Sequence, residues 1–451
     1  MKPDYRRQRR SLLAVVAVLT LTFVAVGPRV LAFCGFYVAQ ADAELFNESS
    51  KVIIAREDTR TVLSMANDYQ GEVENFALVV PVPVVLQEGQ VQVGDPTLFE
   101  RIDAYSAPRL VEYFDEDPCR LPQAEVMRSA PTAADEAAGP PQSSDALGVT
   151  VEASFSVGEY DIVVLSAEES SGLETWLVQN DYNIPAGVRE PLQSYIAQGM
   201  KFFVARVNLD EFESRGYQFL RPLVMAFESE SFMLPLQLGM VNANGPQDMI
   251  VYLLSPQGRV ELANYATVNI PSNVNLPEFV EDEFGEVYQA IFAETHQREG
   301  GDAAILEYAW DMSWCDPCAA DPLSRDELLR AGVFWLEPDA NVRAPNVYLT
   351  RLHVRYTEQT FPEDLMFRAT DNRQNYQGRY ILQRPFRGEI TCEEGKRYVE
   401  QVQERREQEA QRLANLTGWS ITEVRERMGD YNPEVSLPSS PSWWQRVFDS
   451  F

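Results

Sequence analysis

The pattern of apolar and polar positions changes character several times along the chain, and the sharpest change comes first. Lys2, Arg6, Arg7, Arg9 and Arg10 precede an apolar run from Leu12 to Val26, and Gly27, Pro28 and Val30-Leu31-Ala32 follow. A basic segment, an apolar segment and small residues at a cut site form the layout of a secretory signal, here cleaved after Ala32. The run is shorter than the roughly 20 apolar residues that a membrane span needs. Residues 1–32 are therefore expected to be a signal peptide, with a retained N-terminal anchor as the lesser alternative. Arg9-Arg10-Ser11-Leu12-Leu13 loosely resembles a twin-arginine signal, which leaves the export route open. Phe33 stands where a lipoprotein signal wants a small residue, so Cys34 is not expected to carry a lipid. No second long apolar stretch follows, and no stable membrane span is expected after cleavage.

Past the signal the pattern alternates between strand and helix periods. Val52 to Val85 predicts strands, with Pro81 and Pro83 confining their end to an edge or an irregular exit. Asp95-Pro96 has the chemistry of a helix start, and the helix is expected to run from Thr97 towards Phe114, bent or broken at Pro108. Gln123 to Leu147 is rich in Ala, Pro, Ser and acids without periodicity, and is expected to be a disordered insertion. Strands are then predicted at Tyr160 to Leu165, Lys201 to Val207, Leu223 to Phe227, Met233 to Leu238, Met249 to Leu254 and Val260 to Tyr265. Helices are predicted at Ser170 to Gln179 and from Pro185 to about Gly199. The short spacing of the strands favours antiparallel pairing over a doubly wound parallel sheet. Glu278 to Thr295 reads as helix and Ala303 to Met312 as strand. Ser324 to Gly332 is a short helix with a capping box at Ser324 and Glu327. Tyr348 to Tyr356 alternates like a half-buried strand, and Arg379 to Gln383 is another. Glu393 to Leu416 is a charged helix with a thin apolar stripe, and Ser420 and Glu423 cap a last short one. The fold class expected is α+β, with antiparallel-rich sheets, packed helices and a C-terminal helical extension. The divisions expected are 1–32 signal, 33–295 an α+β domain with the insertion 123–147, 296–392 a second α+β region, 393–429 the helical extension and 430–451 a loose tail.

Composition narrows the function classes. The 451 residues are 45% hydrophobic and 11% aromatic, enough to fill real cores. The formal net charge is −30, and it becomes more negative once the basic signal is removed. So acidic a surface repels phosphate backbones, which argues against nucleic acid as a partner. Five cysteines, Cys34, Cys119, Cys315, Cys318 and Cys392, meet an oxidising compartment after export, where disulfides form. The odd count leaves at least one thiol unpaired within the chain. Spacing does not choose among the pairings, and the simplest is Cys34 with Cys119 and Cys315 with Cys318.

Trp314-Cys315-Asp316-Pro317-Cys318 is the one short motif with chemical promise. Two cysteines two residues apart can close a small ring, and the first can become a thiolate at a helix N-terminus. The string is similar to the Trp-Cys-Gly-Pro-Cys of thioredoxins over those five residues only, and the strands upstream do not form the preceding βαβ unit. A structural disulfide is the plainer reading, and redox catalysis by Cys315 and Cys318 the alternative. One cysteine pair with Cys392 and His353 far away does not make a zinc set. His353 in its strand reads as a structurally satisfied histidine, and His296 lies in a polar stretch. Asp115-Glu116-Asp117 and Glu281-Asp282-Glu283 lack the register of a calcium loop and read as solvated faces. No cofactor and no metal is expected, since the motifs that announce them are missing from the sequence.

Several stretches are familiar in this order: Phe33-Cys34-Gly35-Phe36-Tyr37-Val38-Ala39, Met65-Ala66-Asn67-Asp68-Tyr69-Gln70-Gly71, Phe76 to Pro83, Leu165 to Leu173, Trp314 to Cys318 and Leu349-Thr350-Arg351-Leu352-His353. Together they resemble an exported bacterial family catalogued as domain of unknown function 2330, over about Phe33 to Cys392. The resemblance implies a bacterial protein of the periplasm or the exterior and carries no activity with it. The expected function is a non-catalytic envelope or secreted protein that binds an unidentified partner or ligand or serves a structural role. The alternative is a thiol–disulfide oxidoreductase.

Overall fold

The computed structural model describes residues 36–39, 46–47, 50–66, 69–70, 76–119, 149–180, 187–208, 211–212, 220–241, 243, 245–314, 320–336 and 346–436. The expected signal and the Gln123–Leu147 insertion lie outside these residues.

Two sheets dominate. A nine-stranded sheet runs in the order Ala266–Asn269, Ala303–Asp311, Tyr348–Tyr356, Gln247–Ser255, Ser50–Glu57, Arg60–Ala66, Leu223–Glu228 and Val91–Val93, with Tyr376–Gln377 pairing onto Ala303–Asp311. It is mostly antiparallel, and Gln247–Ser255 runs parallel to Ser50–Glu57. Strands from both sides of residue 296 are neighbours in it. A five-stranded antiparallel sheet runs Phe36–Ala39, Phe76–Val82, Lys201–Val207, Tyr160–Ala167 and Val149–Val157. The sheets pack face to face. Leu78, Val80, Ile162, Val164 and Phe203 of the smaller meet Val52, Ile54, Leu63, Val251 and Leu352 of the larger in one buried core. Each outer face is then closed by helices, because a strand that is apolar on both sides must be covered twice. Ser170–Gln179 and Arg189–Ala197 cover the smaller sheet through Leu173, Leu177, Leu192 and Tyr195. Thr97–Ser106 and Arg325–Arg330 cover one half of the larger sheet, and Val280–Arg298 covers the other. The fold is thus α+β, as expected, in four layers.

Local chemistry explains most boundaries. Ser324 and Glu327 form the expected capping box: the Ser324 hydroxyl accepts the Glu327 N–H at 3.3 Å, and the Glu327 carboxylate accepts the Ser324 N–H at 2.7 Å. Gly332 ends that turn at φ 90°, where a Cβ would stand 2.4 Å from Val62. The helix from Thr97 stops at Ser106, and the chain past Pro108 becomes the strand Arg109–Phe114 instead of a bent continuation. Met233 to Leu238 holds only a two-residue strand before the short helix Gln237–Val241, whose first turn is gripped by the Asp364 carboxylate. The Ser420 side chain makes no cap bond, and the Glu423 carboxylate pairs forward with Arg427.

Cys119 pairs with Cys392 across 273 residues, with Cα atoms 5.8 Å apart. This corrects the simplest pairing, Cys34 with Cys119. Strand Arg109–Phe114 pairs in parallel with Arg379–Arg384, so the residues a few positions past each strand arrive side by side. In the chain-entropy view such a loop contributes about 5 kcal/mol.

Cys392 is also the N-cap of the long helix Glu393–Thr417, its Sγ accepting the Gly395 N–H at 3.3 Å. The helix packs on Val280–Arg298 through Val402, Ala410, Leu413 and Ala414. Glu409 lies in the same buried stripe, 4% exposed, its Oε1 without a hydrogen-bond partner and 3.7 Å from the Arg405 Nε. Burial pushes its carboxyl up to about 7, with Glu278 adding to the rise and Arg405, Arg406 and Arg412 opposing it. A carboxyl raised on folding binds its proton more tightly in the native state. Its contribution is therefore greatest below pH ~4.5 and is lost as pH rises to about 7. Glu409→Gln is expected to remove that loss, stabilising the protein at pH 8 by about 2–3 kcal/mol while changing little at pH 4.5. Urea unfolding at the two pH values checks this.

Candidate functional site

The strand Tyr348–Tyr356 carries Arg351, His353 and Arg355 at alternate positions, so all three side chains leave the same face of the nine-stranded sheet. The sequence pattern predicts solvent there. Instead the helices Thr97–Ser106 and Val280–Arg298 lie over that face, and the polar side chains must find partners beneath them. The register supplies these partners. Asp248 stands opposite Arg355, and Tyr252 opposite Arg351. On the other side, Leu306 pairs with Leu352 but Tyr308 with Arg351, so Glu307 is an extra residue at a bulge. A bulge re-aims its side chain, and here it turns a carboxylate into the covered face.

The result is a chain of seven side chains alternating in charge. Lys51 Nζ meets Asp103 at 2.9 Å, and Asp103 accepts from Arg351 at 2.5 Å and from the Tyr252 hydroxyl at 2.7 Å. Arg351 Nε donates to Glu307 at 2.5 Å. Glu307 also accepts from His353 Nδ1 at 2.8 Å and from the Tyr288 hydroxyl. His353 Nε2 stands 3.5 Å from Asp248, too long for a full hydrogen bond, and Asp248 takes both arms of Arg355 at 2.8 and 2.6 Å. The middle is dry, with Glu307 1% and Arg351 6% exposed, while Lys51 and Arg355 reach solvent at the two ends. Phe292 stacks on the His353 ring at 3.8 Å.

The charges fix one another. Burial alone would raise the Glu307 carboxyl, but Arg351 and His353 hold it down at about 2. Arg351 and Lys51 likewise outweigh burial at Asp103, also about 2, and His353 and Arg355 do so at Asp248. Burial lowers the His353 imidazole, and Glu307 and Asp248 more than reverse it, so its pKa lies above the ordinary imidazole value. Burial takes His296 the other way, its Nε2 resting on the Arg355 carbonyl. Glu307 holds three donors and His353 commits its Nδ1 to it, so the two groups are spent on each other. The chain is a clasp: it joins four strands of the sheet to both covering helices.

Of the residues singled out in the sequence, Cys119 and Cys392 are paired, and Cys34, Cys315 and Cys318 lie outside the described residues. Trp314 is 48% exposed with its ring 5.1 Å from Trp310. His353, expected to be satisfied structurally, is paired through Nδ1 with Glu307, while its buried Nε2 has no hydrogen-bond partner. The two acidic runs are partly paired, Asp115 accepting from Arg405, Tyr398 and Gln383, Glu281 meeting Arg384 and Glu283 meeting Arg427, while Glu116, Glu281 and Asp282 are exposed, as the solvated reading expected. Glu307, Asp103 and Asp248 carried no sequence signal. Three cations on one side of a single strand were the available hint.

A family described as an uncharacterized protein conserved in bacteria (DUF2330) matches residues 28–368. The chain belongs to this family. The family match holds the whole charge chain, from Lys51 to Arg355, and Cys119, and it ends before Cys392 and the C-terminal helices. No curated protein and no solved structure matches the chain.

Removing one member of a buried pair leaves the other uncompensated. Arg351→Leu is expected to cost about 3–5 kcal/mol. Combining it with Glu307→Gln should recover a large part of that loss. Chemical denaturation of the two single variants and the double variant gives the coupling energy, and simple additivity would contradict the clasp.

Proposed function

We propose that this member of the family is an exported bacterial protein, of the envelope or secreted, that binds a partner or serves as a scaffold and does not catalyse. The Cys119–Cys392 bridge carries this reading. It ties the C-terminal helices to the sheet body, and a bridge of this kind persists in oxidising compartments. The basic and apolar segment at residues 1–32 and the acidic composition point the same way. The charge chain supports the non-catalytic half, since its carboxylates and its imidazole are committed to one another.

One observation keeps a second reading in view. Trp314, immediately before Cys315, exposes about half its surface, as a cover beside a working dithiol would. Under that reading Cys315 attacks and Cys318 resolves. Disulfide mapping of protein recovered from fractionated cells, with a redox titration of the Cys315–Cys318 pair, separates the two. The binding or structural reading expects Cys119–Cys392 to be bridged, residues 1–32 to be removed, and the Cys315–Cys318 pair not to cycle. A pair that cycles readily near about −200 mV would replace it with the oxidoreductase. Recovery of reduced protein in the cytoplasm would end both.

A further inference from the structure

A small parallel sheet stands beside the two large ones. Its order is Val274–Leu276, Arg379–Arg384, Arg109–Phe114. The first edge is covered by the helix Glu393–Thr417. Among the described residues no strand pairs with the outer edge of Arg109–Phe114. The Arg109 N–H donates to the Gly378 carbonyl, and the Asp115 N–H to the Arg384 carbonyl. Backbone groups alternate in direction along a strand, so Leu110, Glu112 and Phe114 turn their N–H and C=O groups outward. A bare edge is a template for another strand.

Three features make this edge fit for use. It is rigid: Arg109 is tied to Gln377, Asp115 is gripped by Arg405 and Tyr398, and the bridge at Cys119 follows. It presents grip on both faces, since Tyr113 is 46% and Phe114 70% exposed and neighbouring residues point to opposite sides. Its surroundings are acidic, with exposed Glu116 just beyond the strand and −30 on the whole chain, although Glu112 itself is paired with Arg384.

We propose that an extended, basic segment of another protein adds to the outer edge of Arg109–Phe114 as a fourth strand. This rests on the binding role proposed above and names its surface and the chemistry of its partner. Main-chain hydrogen bonds give the affinity, and Tyr113 and Phe114 pack on side chains of the incoming strand. Basic residues answer the acidic surroundings. A second copy of the chain would bring another −30, so self-pairing is opposed.

The test uses the full chain and a fluorescent Lys-Val-Lys-Val-Lys-Val-Lys peptide, with binding read by anisotropy. Saturable binding is expected, weakened about tenfold or more by Glu112→Pro, which removes an outward N–H and spares the inward ladder. Glu112→Gln keeps that N–H and should change affinity less than about threefold. Phe114→Pro repeats the block at a second outward position, in case the first variant loses its fold by circular dichroism. Equal binding of a Glu-Val-Glu-Val-Glu-Val-Glu peptide, or indifference to both prolines, would overturn the proposal. So would a dimer of the chain alone that either proline dissolves, since the occupant would then be a second copy. The assay is independent of cellular location, so its failure is distinct from failure of the export reading.

Discussion

Glu307 has to be neutralised, and much of the structure follows from that. A lone carboxylate under two helices, away from water, would cost many kcal/mol. Arg351 answers it from the neighbouring strand, but Arg351 is buried too and needs Asp103 from the helix above. His353, its pKa raised by Glu307, faces Asp248 in turn. The alternation continues until it reaches solvent at Lys51 and Arg355. Apolar packing would let the helices slide over the sheet, since burial has no direction. Charge pairs at 2.5–2.9 Å do not. The seam lies between two apolar clusters, one around Tyr252 and Trp335, the other around Ile291 and Phe292, and so divides the covered face into two packing fields.

The C-terminal helices are joined to the body by other means. Their contacts are a disulfide at one end, a carboxylate held by Arg405 and Tyr398, Arg427 on Glu283 in the acidic first turn of Val280–Arg298, and a thin apolar stripe of Ala410, Leu413 and Ala414. These bonds lie nearer the surface than the central seam, and salt screens exposed pairs more strongly than buried ones. Salt is therefore expected to loosen the polar contacts of the C-terminal helices before it reaches the central seam.

Much of the fold was legible in the sequence because many elements are locally encoded. Ser170–Gln179, Lys201–Val207 and Tyr348–Tyr356 appear where periodicity put them, and the capping box at Ser324 sets its helix. What stayed hidden was tertiary. The alternation in Tyr348–Tyr356 reports a two-faced strand but not that helices cover its polar face. The bulge at Glu307 depends on pairing with a strand some 40 residues away, which local pattern does not encode. The partner of Cys119 was out of reach for the same reason, because only the parallel pairing of Arg109–Phe114 with Arg379–Arg384 brings Cys392 beside it.

That distant partner has a consequence for biosynthesis. A chain is made from its N-terminus, and Cys392 follows every strand of the two large sheets. The ring closed by Cys119 and Cys392 therefore cannot form until nearly all of the sandwich has been delivered. Before Cys392 is made, Cys119 shares the chain with Cys34, Cys315 and Cys318, all of them made earlier than its partner. Forming the correct ring depends on the sheets assembling soon enough to hold Cys119 in place, so the noncovalent fold acts as the template for its own covalent lock.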